Sequence, residues 1–225
     1  MRRYVFPLLL GLIGCAILVS LGVWQVERLH WKQAMLAAIE ARIGADPQEL
    51  PPMGTDTRGL KYTPVLLMGA TTGTEIRVLS GEKGTGPGFE LISAFETGDG
   101  RRVLLDRGFI PEEHGPDPRP ATAMIVTGTL HWPEETDAYT PAPDARTGIW
   151  FARDVPAMAA ALGTEPVLVV ARAVHGDAQG VVPRPLGTEG IPNDHLEYAI
   201  TWFLLAIVWA GMTAFLLWRI RRGRN

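Results

Sequence analysis

Two hundred and twenty-five residues with a formal net charge of −3 hold one ordinary domain, or one domain with membrane anchors. All 24 acidic residues lie between Glu27 and Glu197, whereas the ends carry Arg2 and Arg3, and Arg219, Arg221, Arg222 and Arg224, with no acid beside them. Net positive charge is therefore confined to two tips, which excludes a nucleic-acid binder built on a basic face, and a single cysteine excludes a disulfide framework or a paired-thiolate metal site.

Residues 4–24 (YVFPLLLGLIGCAILVSLGVW) run without a charge. Roughly 20 apolar residues cross a ~30 Å hydrocarbon core as a helix, and Tyr4 and Trp24 stand at the ends, where membrane interfaces favour aromatics. A cleaved signal peptide is the rival, but the run is long and no Ala-x-Ala site follows. Leu12-Ile13-Gly14-Cys15 imitates a lipoprotein box, yet the apolar stretch AILVSLGVW after it leaves Cys15 as a packed small residue. Residues 25–44 predict a helical extension of this span. They are good helix formers with a partial apolar stripe (Val26, Leu29, Met35, Leu36, Ile39), and Gly44 and Pro47 are the stops.

From there to residue 194 the pattern is β-rich. Short runs at 63–68, 75–79, 89–95, 102–110, 124–131, 149–152 and 167–174 are separated by Gly and Pro clusters. One helix is expected inside this region, with Asp154 as N-cap, Pro156 in its first turn and Gly163 as its stop. Residues 198–218 (YAITWFLLAIVWAGMTAFLLW) form a second uncharged run, and 219–225 a basic tail. The expected fold is two transmembrane α-helices flanking an extramembrane β-rich α+β domain at 45–194, an antiparallel sandwich or small barrel. Arginine at both ends puts both termini in the cytoplasm by the positive-inside tendency. The acidic middle then faces the periplasm of a bacterial inner membrane, or the intermembrane space of a derived organelle.

Catalytic patterns are poor. Ser20, Ser80 and Ser93 are the three serines, and none lies in a Gly-x-Ser-x-Gly elbow. The glycine-rich 81–88 stretch reads as a hairpin turn, and Glu112-Glu113 and Glu134-Glu135 as solvated turns. His114, His131 and His175 read as exposed; no Cys-x-x-Cys-His exists for covalent haem. His30 and His195 are set apart because each lies within a turn or two of a span, on the same side of the bilayer. On a helix Ala199, Trp202, Ala206 and Trp209 share the face of His195. That stripe has two readings: packing of small residues against the first span, or a groove for a planar hydrophobic cofactor whose metal takes the His195 imidazole. Arg28 and Lys32 can receive carboxylates at the mouth of the first span, or lipid headgroups.

Leu21-Gly22-Val23-Trp24-Gln25-Val26-Glu27-Arg28-Leu29-His30-Trp31-Lys32 and Asn193-Asp194-His195-Leu196-Glu197-Tyr198-Ala199-Ile200-Thr201-Trp202-Phe203 resemble the two terminal signatures of the Surfeit locus protein family, the Shy-type cytochrome c oxidase assembly factors. Val103 to Pro111 (VLLDRGFIP) and Trp150-Phe151-Ala152-Arg153-Asp154 resemble two inner blocks, in the same order. Tyr139-Thr140-Pro141-Ala142-Pro143-Asp144 and Gly148 depart from the family's usual residues. The resemblance implies a non-enzymatic assembly factor of haem–copper oxidase that binds haem a without a covalent bond and helps insert it into cytochrome c oxidase subunit I, near haem a synthase. It implies His195 as the iron ligand, with Trp24, Gln25, Arg28, Tyr198 and Trp202 around the cofactor. A cofactor-free scaffold for subunit I is the alternative.

Overall fold

The structure is a computed structural model and describes residues 2–82 and 86–223. Contacts divide the chain into two units, residues 1–38 with 188–225, and residues 39–187.

The first unit is a helix pair. Helix α1 (Arg2–Ile43) contains the first uncharged run and continues through the extension, stopping at Gly44, whose N–H donates to Glu40 O at 2.8 Å. Helix α3 (His195–Arg222) contains the second. Both are long and apolar enough to cross a membrane, and their most apolar stretches are almost wholly exposed, which is unlike the buried core helix of a soluble protein.

The second unit is a barrel. Its strands are β1 (Pro64–Glu82), β2 (Gly86–Thr97), β3 (Arg102–Pro111), β4 (Ala123–His131), β5 (Ile149–Trp150) and β6 (Leu168–Gly176). The hydrogen-bonded order β2-β3-β6-β4-β1 closes because β1 also pairs with β2, giving five strands in a ring with β5 added parallel to β1. Closure removes the unpaired edges of an open sheet, and of the sandwich and the barrel it is the barrel that forms. The runs at 63–68 and 75–79, read as two strands, are one. Strand β1 pairs with β4 from Pro64 to Ala70 and with β2 from Gly69 to Glu82, and the register shifts between Thr71 and Glu75. Gly73 sits at that shift with φ +81°, a conformation costly for any side chain.

All five ring strands contribute to the interior, through Val65, Leu67, Phe95, Val103, Leu105, Val126, Leu130 and Val169 among others. Helix α2 (Val155–Leu162) covers part of the outside, where Val155, Met158 and Ala159 pack on Ile76, Val78, Ile92, Leu104 and Leu168. Strand β3 is thus buried on both faces, which explains its unbroken apolar start, Val103-Leu104-Leu105. The caps of α2 are those expected: Asp154 accepts from Ala157 N, and Gly163 closes the helix in the left-handed conformation. The hairpin between β1 and β2 is paired as far as Glu82 and Gly86; the middle of its turn lies outside the described residues.

Candidate functional site

Small residues recur on α1 at helical spacing, and large ones on α3 fill the space above them. An added Cβ on Gly11 would lie 2.2 Å from Thr213, on Gly14 2.2 Å from the Trp209 indole, and on Gly22 2.7 Å from Phe203. Cys15 Sγ approaches Ala206 O at 3.9 Å, so it is a packed residue as expected. Ala199 and Ala206 are buried. The pairs run in opposite order along the two helices, so the seam is antiparallel. The small-residue part of the stripe therefore serves helix packing, where close backbone approach maximises dispersion contact in the absence of a hydrophobic driving force.

The seam ends on a polar pair. Gln25, the first residue after the uncharged run of α1, is buried, and its Oε1 lies 2.8 Å from Nδ1 of half-buried His195, the first residue of α3. An amide oxygen accepts only, so Nδ1 donates this bond, and in the neutral ring Nε2 keeps its lone pair. No protein partner meets Nε2 among the described residues. Two residues earlier, Asn193 Oδ1 is buried without a hydrogen bond. A ring held at one nitrogen and open at the other is how metal-binding histidines are oriented. Trp202 is half-buried nearby on α3, whereas Trp24, Arg28 and Tyr198 are exposed. Arg28 stacks over the Trp31 ring at 4.1 Å and has no carboxylate partner among the described residues. The structure thus brings Gln25 and His195 together, leaves Trp24, Arg28 and Tyr198 on exposed surface and keeps Trp202 half-buried. A single imidazole at the end of two apolar helices, with a guanidinium that has no carboxylate partner close by in sequence, is a donor set suited to haem iron and a propionate.

A second concentration of charge lies in the barrel; Asp106, Arg107 and Arg153 fall in the two inner blocks that resemble the family, but no role was read for them there. Asp106 and Arg107 are almost wholly buried in the middle of β3. The Asp106 Oδ1 accepts from Gly108 N at 3.1 Å and Oδ2 from Arg153 at 2.9 Å. Arg153 also forks onto Glu135, and Arg184 meets buried Glu90 at 2.6 Å. Burial, reinforced by Glu90, raises the Asp106 carboxyl to about 7 despite Arg153. His131, expected to be exposed, is buried with Nδ1 unpartnered, and burial, aided by Arg153 and Lys61, lowers it to about 4. Glu135, read as a solvated turn acid, holds Arg153 instead. The available signal was an acid and a base side by side inside an otherwise apolar strand. His114 and His175 are exposed as expected, and no cluster of three or more metal-binding side chains exists among the described residues.

Two apolar helices zipped by small residues, with a closed barrel inserted between them in the chain, define a two-span membrane protein with an extramembrane β domain. The SURF1 family matches residues 12–207, and the chain belongs to it. Surfeit locus protein 1 of Xenopus tropicalis is 30% identical over 210 residues, covering 82% of this chain and 67% of the relative. That of Rattus norvegicus is 27% identical over 209 residues with the same coverage, and a SURF1-like protein of Monosiga brevicollis is 29% identical over 92% of this chain and 84% of its own. The resemblance seen in the sequence signatures is therefore one of family membership, and the family is known for oxidase assembly factors.

Proposed function

We propose that this protein holds haem a at the outer surface of a bacterial inner membrane, with His195 as iron ligand, and aids its insertion into subunit I of cytochrome c oxidase. The observation that carries this reading is the hydrogen bond between Gln25 Oε1 and His195 Nδ1, which leaves Nε2 free to donate its lone pair. Arg28 is available to a propionate, and Trp24, Tyr198 and Trp202 offer apolar surface to the porphyrin and its farnesyl tail. Haem a synthase supplies the group and subunit I receives it; a carrier with one axial ligand and no thioether bond releases its cargo without chemistry of its own. The basic ends of the chain support an orientation with both termini in the cytoplasm and the barrel in the periplasm.

The test is an absorption spectrum of the protein purified from cells that make haem a. Wild type should carry the haem and His195→Ala should lose most of it; a colourless wild type, or an unchanged spectrum in the variant, counts against haem binding. A cofactor-free scaffold for subunit I is the second reading. It is favoured by the burial of Ala199 and Ala206 in the seam, which commits that part of the stripe to packing. It expects His195→Ala to leave oxidase assembly intact.

A further inference from the structure

We propose that the end of the helix pair remote from His195 binds one anionic phospholipid, its acyl chain in a cavity between α1 and α3 and its phosphate on Arg219. The cavity holds about 340 Å³ and is lined on one side by Pro7, Leu10 and Gly11 and on the other chiefly by Met212, Leu216 and Arg219. Its lining is mostly apolar, and one buried donor in it, Trp209 Nε1, has no hydrogen-bond partner. Thr213, also in the lining, already donates through Oγ1 to Trp209 O at 2.8 Å. A largely apolar void facing hydrocarbon is filled by chain, since the one unpaired donor is fewer than the two to four partners a buried water needs.

What selects the headgroup is charge. Arg219 is exposed at the mouth and meets no carboxylate among the described residues, and the sequence contains no acid from Tyr198 onward to supply one. Arg222, one turn further, stacks on the Trp218 ring at 4.1 Å, so a second guanidinium stands at the same level. Basic pockets between membrane helices take anionic headgroups in this way. Arg219 lies 24 residues beyond His195, about 36 Å along the helix at 1.5 Å per residue. The two sites therefore lie near opposite faces of the bilayer, and this inference stands without the haem reading.

The experiment titrates the delipidated full-length protein in detergent with phosphatidylglycerol and, separately, phosphatidylcholine of the same acyl chains, and counts bound lipid by native mass spectrometry. Wild type should bind one phosphatidylglycerol at least about fivefold more tightly than phosphatidylcholine, as expected for one basic contact at the membrane surface. Arg219→Gln should abolish the preference, Leu216→Phe should reduce both lipids by filling the cavity, and His195→Ala should bind as wild type does. Equal binding of the two lipids to wild type, a preference that survives Arg219→Gln, or occupancy unchanged in Leu216→Phe overturns the proposal. So does a tightly held helix of another protein that occupies the groove and keeps lipid out.

Discussion

At His195 one ring nitrogen is held and the other is left open, and it is Gln25, 170 positions away in sequence, that holds it. If this bond orients a haem ligand, Gln25→Leu should lower haem retention by about 10–100-fold, the usual loss when a partner behind the ligand is removed. Gln25→Glu, which keeps an acceptor, should restore most of it. Transfer of haem to apomyoglobin measures both, and equal retention in Gln25→Leu would remove the orienting role. His131 permits a pH prediction. Its folded value near 4 lies below the unfolded value of about 6.5, so its contribution is complete above pH 6.5 and is lost as pH falls toward 4. Asp106 acts oppositely: its folded value near 7 lies above the unfolded value of about 3.9, so its contribution is present at low pH and lost as pH rises through 7. His131→Phe should therefore flatten the acid-side loss of stability and Asp106→Asn should steepen it, read from urea midpoints of the full-length protein in detergent at pH 5 and 7.5. The place of His195 at the head of the second span was legible in its sequence context; the burial of His131 was not, because strand ends give no sign of which loops close over them.

Among the elements, α2 was legible to its last residue, since Asp154, Pro156 and Gly163 act within one turn of their own positions. Asp154→Ala should cost about 1 kcal/mol through the lost bond to Ala157 N, measured by chemical denaturation. Strand β1 was legible only in halves, because residues 69–74 lie outside both runs, and only pairing with two different neighbours shows that the strand continues through them with a shift of register. Gly108 makes the same point on β3. Its φ of +112° and the Val182 carbonyl, 2.1 Å from where a Cβ would stand, require glycine. Gly108→Val should destabilise the barrel by at least about 2 kcal/mol through strain and overpacking together. On α1, Gly14→Leu should displace the Trp209 indole and pry the seam apart, lowering the thermal midpoint in detergent; an unchanged midpoint would show that the close approach contributes nothing.

For the molecule as a whole, the buried charges tie distant parts of the barrel unit together: Arg153, just ahead of α2, joins Asp106 on β3 to Glu135 in the segment after β4. Removing one member leaves another buried without its partner, so Arg153→Met should cost about 3 kcal/mol or more, and Arg153→Met with Asp106→Leu should recover part of it. Two spans, a β-rich insertion, the α2 caps and the family signatures were all determined by the sequence alone. Hydrocarbon length, turn chemistry and capping act over a few neighbouring residues and leave their mark in order along the chain. Closure of the ring through β1, the seam that seats Trp209 on Gly14, the meeting of Gln25 with His195 and the burial of the Asp106–Arg153 pair were decided by tertiary structure. Each depends on which remote segment arrives opposite, and a local pattern of residues carries no record of its partner.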